Sequence, residues 1–194
     1  MGRKFLAARE DLVEKIKNLA KRKNLTLYAL INDALEQILK AEEAGKTLPE
    51  IVEDYQTLKM VKEAGFILTP SNFLYGVIEK AFKDDDKTLT KIWSENGEWF
   101  GKYCKTIFPN ENPQKLLEKV ISTVFWDLSD CTVTTKENGE LLVRCVGAGY
   151  STSRTILLAS FILGLMQAYN YQNLKKEVSK GILSLTFKKE EKGE

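Results

Sequence analysis

The sequence predicts an α+β protein in two parts: a short basic strand-helix-helix module, then a helix-rich α/β domain with two antiparallel hairpins. Three observations carry this. Apolar residues recur at helical spacing through most of the chain, and alternating runs around Asn138-Gly139 and Lys180-Gly181 read as hairpins. Residues 1 to 26 hold eight Lys or Arg against three acids, a net of +5, while the rest of the chain carries −3. With 194 residues, 43% of them apolar and 29% charged, the composition is that of a globular protein able to build a sizeable core.

Residues 2 to 8 form a short segment with strand character. Arg9-Glu10-Asp11 then opens a helix whose stripe is Leu12, Ile16, Leu19 and Ala20. Lys21-Arg22-Lys23-Asn24 closes it, with cations suited to the helix C-terminus and an Asn able to take the left-handed conformation. Thr26 is the expected N-cap of a second helix over 27 to 43, with Leu27, Leu30, Ile31, Ala34, Leu35, Ile38 and Leu39 on one face and Gly45 as its stop. About 45 residues of this kind make too small a core to stand alone, and two copies could complete each other.

This order of strand, acidic helix start, first helix, Asn24-Leu25-Thr26 turn and long second helix resembles the ribbon-helix-helix family of DNA-binding repressors. In that family the strands of two subunits pair into a ribbon that enters the major groove. The resemblance covers residues 2 to about 44 and implies a homodimer on double-stranded DNA. Setting Leu12 on the family's first core leucine places Arg3, Phe5 and Ala7 on the DNA face and Lys4, Leu6 and Ala8 toward the core. Arg9 and Lys23 are then phosphate contacts, and the helix start at Thr26, Leu27 and Tyr28 offers backbone N–H groups to a phosphate. The chain departs from the pattern at Phe5 and Ala7, which can meet only a thymine methyl or sugar edges. Either base reading there is weak, or the register is shifted by one and Lys4 points outward. A ribbon that serves only to pair subunits is the competing reading.

A connector helix is expected to start near Leu48, with Thr47 as its cap, and to end at Gly65, so that the module spans 1–46, the connector 47–65 and the second domain 66–189, with a charged tail at 190–194. Phe66 to Thr69 reads as a short strand ended by Pro70, and a helix follows from Ser71 to Lys83. Asp84-Asp85-Asp86 before Thr88 marks a turn and helix start; no distal Glu completes a calcium loop, so no metal is expected. A helix from Leu89 to about Phe108 carries Trp93, Trp99, Phe100 and Tyr103, with Gly97 and Gly101 allowing another backbone or a ligand to approach. An amphipathic helix from Gln114 to Phe125 precedes strands Cys131–Thr135 and Leu141–Val146, joined at Asn138-Gly139. An apolar helix from about Ser153 to Tyr169 leads to strands Leu174–Ser179 and Ile182–Lys188.

That order, with a glycine-containing buried helix (Phe161, Gly164) between two hairpins, resembles the 4-vinyl-reductase-type domain, whose fold is shared with transport protein particle subunits and the haem nitric-oxide-binding domain. It covers about residues 66 to 188. The last hairpin, Glu177-Val178-Ser179-Lys180-Gly181, lacks the cysteines common in that type. The resemblance implies an apolar pocket for a small effector, or a dimerising scaffold. The aromatics suited to such a pocket are Trp93, Trp99, Phe100, Tyr103, Tyr150 and Phe161. Gly147-Ala148-Gly149-Tyr150-Ser151-Thr152-Ser153-Arg154 has the look of an anion-cradling loop, but it lacks the Walker lysine and the third glycine of a dinucleotide fingerprint, and glycines closing a hairpin before a capped helix account for it better.

The chain contains no histidine, which removes Ser-His-Asp and Cys-His catalysis, histidine-ligated zinc and the usual haem ligation. No nucleophile, base or metal constellation stands out, so neither an enzyme nor a cofactor is expected. Cys104, Cys131 and Cys145 are far apart in sequence and read as small buried apolar side chains. The longest apolar run, 156 to 166, is much shorter than the roughly 20 residues of a membrane helix, and residence in the cytoplasm, away from membranes, is the expectation.

Overall fold

A computed structural model describes residues 4–190. It is an α+β structure with seven helices and one four-stranded antiparallel sheet among the described residues. The chain divides into two compact units, residues 1–56 and 57–194, with the division inside the third helix.

In the first unit, residues 4–9 carry no regular secondary structure, and Arg3 lies outside the described residues. Helix α1 (Glu10–Arg22) starts on two acids and ends on two bases, which suits the helix dipole at both ends. Asn24 takes a left-handed conformation (φ 55°), so the chain turns sharply into α2 (Leu27–Glu43). The Thr26 hydroxyl accepts the Ala29 N–H at 3.0 Å, as its position before the apolar stripe predicts. Gly45, with φ of 75°, ends the helix. Thr47 and Glu50 then form a reciprocal capping box for α3 (Leu48–Glu63): the Thr47 N–H donates to the Glu50 carboxylate at 2.6 Å, and the Glu50 N–H donates back to the Thr47 hydroxyl at 3.4 Å.

The second unit is built around α7 (Thr152–Ala168), which is apolar on nearly every side and buried along most of its length. It packs against α5 (Asp86–Ile107) and α4 (Ser71–Asp84), and also against the sheet. Helix α6 (Pro113–Val124) buries Leu116, Leu117, Val120 and Ile121 and lies on β1. The sheet order is β1 (Asp130–Thr135), β2 (Leu141–Val146), β4 (Ile182–Lys189), β3 (Tyr171–Ser179). Residues alternate inward from β2 (Leu141, Val143, Cys145) and β4 (Leu183, Leu185, Phe187) to meet the helices. Both predicted hairpins turn on a positive-φ glycine, Gly139 and Gly181.

The α5–α7 crossing explains three glycines. A Cβ at Gly97 would stand 2.0 Å from the Phe161 carbonyl oxygen, one at Gly101 2.7 Å from the Ala168 methyl, and one at Gly164 1.9 Å from the Ser94 carbonyl oxygen. The partner that approaches Gly97 and Gly101 is therefore the backbone of α7.

Phe66–Thr69 is not a strand. No strand pairs with it: Phe66 turns its ring onto Phe100 (5.1 Å, edge-on) and Phe161 (6.3 Å) while Ile67 and Leu68 face outward. Helix α5 begins at Asp86 rather than Leu89, because the Asp85 carboxylate caps it by accepting the Thr88 N–H at 2.9 Å. Strand β3 begins at Tyr171 rather than Leu174; left-handed Asn170 (φ 59°) turns the chain directly out of α7, and a bulge between Asn173 and Lys175 takes up the extra residue.

Candidate functional site

Two groups of residues are candidates, one in each unit. In the first unit the polar positions are presented on helices with almost no interior. Ala20 and Ala41 are its only buried residues among those described. Ile16, Leu19, Leu27, Leu30 and Ile31 are half-covered, while Leu12, Leu35, Ile38 and Leu39 stay exposed on the apolar stripes. Phe5 is fully exposed, and Lys4, Ala7, Lys23, Thr26 and Tyr28 are exposed with it. Arg9 is already engaged, its guanidinium donating to both Asp11 oxygens at 3.0 and 2.8 Å. A phosphate would compete with that carboxylate for it.

In the second unit the segment from Gly147 into α7 gathers a polar cluster with α4 and the chain before β1. Ser151 caps α7 by accepting the Arg154 N–H at 3.2 Å. Its hydroxyl donates to one oxygen of Glu79 on α4, and Ser153 donates to the other at 2.8 Å. The Arg154 guanidinium, only 10% exposed, donates to Asp127 at 2.6 Å and to the Gly149 carbonyl at 3.3 Å. It lies over the rings of Tyr75 (3.1 Å) and Tyr150 (3.7 Å), a cation–π arrangement. Both phenols donate to Asp127, Tyr150 at 2.7 Å.

The electrostatics follow. Burial pushes the Asp127 carboxyl up, but hydrogen bonds from Tyr75, Tyr150 and Arg154, with the Arg154 charge, outweigh it and hold the group below the usual range. The Ser151 and Ser153 hydrogen bonds likewise lower Glu79. Burial and the adjacent Asp127 raise Tyr75 to about 12 and push Tyr150 up as well. At neutral pH the cluster is two carboxylates, one guanidinium and two neutral phenols. The anions held here are the chain's own carboxylates, met by the side chains of Ser151, Ser153 and Arg154 at the start of α7. A free anion would have to displace Glu79 or Asp127.

Of the six aromatics read as pocket residues, Tyr150 belongs to this cluster. Phe100 and Phe161 are buried against each other (6.1 Å between centroids), Phe66 and Phe125, a packed aromatic core. Trp99 stacks on Tyr103 at 5.6 Å, half-exposed, and Trp93 packs partly buried beside the same core. Two open surface clefts flank the loop between α5 and α6, one of about 710 Å³ that reaches Asn138, Tyr169 and Lys188 and one of about 580 Å³ between Ile107 and Lys115, and none of the six lines either. Glu79, Asp127 and Tyr75 were missed by the sequence reading, since nothing local marks a residue whose partner lies 23 or more positions away.

No family model matches the chain, and no curated protein does. A solved structure titled "Probing the function of heme distortion in the H-NOX family" is similar at 14% identity and a TM-score of 0.40, covering 66% of this chain and 80% of that one. No helix among the described residues is long and apolar enough to cross a membrane.

Proposed function

We propose that the protein is a dimeric, sequence-specific DNA-binding transcriptional regulator, in which two N-terminal modules of ribbon-helix-helix type pair and present cations to a duplex. The observation that carries the reading is the module's lack of a core. Its two amphipathic helices bury only Ala20 and Ala41, and leave Leu12, Leu35, Ile38 and Leu39 in water. A second copy of the same stripes supplies the missing apolar surface in a self-complementary interface. Residues 4–8, outside any strand in the single chain, are then available to form one across the pair, where Arg3, Lys4 and Arg9 put +3 at the ribbon and Lys15 to Lys23 supply further cations on α1 and the turn after it. The second domain reinforces the dimer or responds to a small apolar or aromatic effector. Because Phe100 and Phe161 fill their own space, an effector among the six aromatics enters beside exposed Trp99 and partly buried Tyr103.

The test is binding of the full chain to labelled genomic fragments at low and moderate salt. Affinity falls steeply as salt rises, because released counterions drive the association. The double variant Arg3→Ala, Lys4→Ala loses at least tenfold. Unchanged affinity in that variant, or binding indifferent to salt, refutes the proposal. A fully exposed Phe5 in the middle of the ribbon supports the second reading, a scaffold whose ribbon pairs subunits without DNA. That reading predicts a stable dimer with no gel shift at any salt.

A further inference from the structure

We propose that Cys131 and Cys145 are a thiol redox site, closed to a disulfide by hydroperoxides and reopened by dithiol reductants. The two residues are direct cross-strand partners in the β1–β2 ladder, and their sulfurs lie 3.3 Å apart. The ladder also fixes the kind of pair. Lys136 N–H donates to the Glu140 carbonyl at 2.8 Å, which makes 136 and 140 a hydrogen-bonded pair. Pairs alternate along an antiparallel ladder, so five steps on, 131 and 145 form a non-hydrogen-bonded pair. Such pairs bring Cα atoms to about 4.5 Å, inside the range of about 4.4–6.8 Å that a disulfide spans. Closing the bond needs the sulfurs to approach by about 1.3 Å, a side-chain motion rather than a break in the sheet.

The two thiols are unequally placed. Cys131 is half-buried on β1, an edge strand, where an oxidant can reach it, and Cys145 is buried behind it on β2. A sulfur–hydrogen bond from Cys145 favours Cys131 as the thiolate, and pushes the Cys145 thiol up. Cys131 is thereby the attacking sulfur and Cys145 the resolving one. Cys104 stands apart from the ladder: it is fully buried in α5, with its thiol pushed up to about 12 by burial.

The chemistry balances. The Cys131 thiol ionises, its thiolate attacks the terminal oxygen of a hydroperoxide, a sulfur–oxygen bond forms as the oxygen–oxygen bond breaks, and the alkoxide takes up the proton that Cys131 released and leaves as an alcohol. The Cys145 sulfur then attacks the Cys131 sulfur, the sulfur–sulfur bond forms, and hydroxide leaves with the Cys145 proton as water. Two thiols are oxidised by two electrons and one hydroperoxide is reduced. The inference holds whether or not the N-terminal module binds DNA.

The test uses the full chain treated with a small excess of an alkyl hydroperoxide, followed by thiol titration in denaturant and peptide mapping. Of three thiols in the reduced chain, one remains after treatment, the 131 and 145 peptides are joined within a single chain, and a dithiol restores all three. Cys104→Ser leaves the joined peptide in place, while Cys131→Ser and Cys145→Ser each abolish it. Three thiols surviving the treatment would overturn the proposal, and so would a sulfinic acid on Cys131 beside a free Cys145, or a cross-link between chains. Because the mapping is decisive on the unaltered protein, poor folding of a serine variant does not blunt it.

Discussion

Gly164→Ala isolates the close crossing of α5 and α7 from everything else in the second unit. An added Cβ would stand 1.9 Å from the Ser94 carbonyl oxygen and 2.9 Å from the Glu98 nitrogen, both backbone atoms of α5 that cannot swing aside. A tolerable carbon–oxygen contact is about 3.3 Å, so the helices must part by about 1.4 Å at that point. A gap of 0.5–1 Å already forfeits roughly a quarter to a half of the dispersion well for each atom pair across it, and the Phe100, Phe161 and Leu165 side chains sit in that layer. Overpacking of this sort costs about 1–3 kcal/mol in typical cores, and a backbone clash belongs at the upper end. Alanine returns about 1 kcal/mol through helix propensity, so the net loss is about 2 kcal/mol. At roughly 3–4 °C per kcal/mol for a unit of this size, the melting temperature falls by about 6–8 °C. The paired control is Gly76→Ala on α4, where a Cβ meets nothing within 4 Å and helix propensity alone raises stability by about 0.5–1 kcal/mol. Thermal melts followed by near- and far-ultraviolet circular dichroism measure both. A Gly164→Ala chain that melts at or above the parent temperature refutes the account of the crossing.

Asp127→Asn leaves the Arg154 charge, only 10% exposed, without its carboxylate; with Asp127 itself 35% exposed, solvent screening reduces the cost to about 1–2 kcal/mol, and an unchanged urea midpoint would contradict it. Asp127 and Glu79 both titrate below their ordinary values in the folded state, so their contribution is complete above the unfolded values near pH 4 and is lost as pH falls through the depressed folded ones. Acid titration therefore shows a shallower decline in the double variant Glu79→Gln, Asp127→Asn than in the parent over roughly pH 5 to 2, and parallel curves would dispose of the idea. Thr26→Ala removes the cap on Ala29 and lowers helix content in the first unit, at a cost of about 1 kcal/mol; circular dichroism identical to the parent would count against the cap. Ile38→Glu puts a charge into the proposed subunit interface, so sedimentation shows the 22.1 kDa monomer where the parent gives a dimer. A dimer that survives the change places the pairing surface elsewhere.

Elements with one strong local signal were legible in the sequence. Helix α2 starts after Thr26 and ends before Gly45 because a cap and a positive-φ stop bracket an unbroken stripe, and strand β2 lies where alternation and Asn138-Gly139 put it. Phe66–Thr69 misled because four apolar and β-branched residues before a proline fit a strand as well as a linker. Only tertiary structure reveals that its one anchored ring, Phe66, belongs to an aromatic core rather than to a ladder. The polar cluster was half-legible. Tyr150 stands in the loop before α7 and Arg154 in its first turn, yet the anions held beside them, Glu79 and Asp127, come from other elements and carry no local mark. The cysteine pair was hidden for the same reason: positions 131 and 145 become neighbours only when the hairpin register is set.

The two units differ in how much of their order they can supply themselves. The second buries a continuous core from Met60 to Phe187 and ties the start of α7 by internal carboxylates, so its core is built within one chain. The first sets two helices with good caps around two buried alanines, and capping terms of about 1 kcal/mol each cannot hold so small a body against the entropy of ordering it. Both functional readings therefore require a second copy at Leu35, Ile38 and Leu39, and a dimer alone does not choose between them. The choice rests on charge. Pairing through apolar stripes is insensitive to salt, whereas a module that meets the duplex with Lys4 in its ribbon and with Arg9 and Lys23 at the ends of α1 loses affinity with each cation removed and with each increment of salt. A dimer whose association is unmoved by salt, together with a DNA affinity that falls steeply with it, is the combination that only the DNA-binding reading produces.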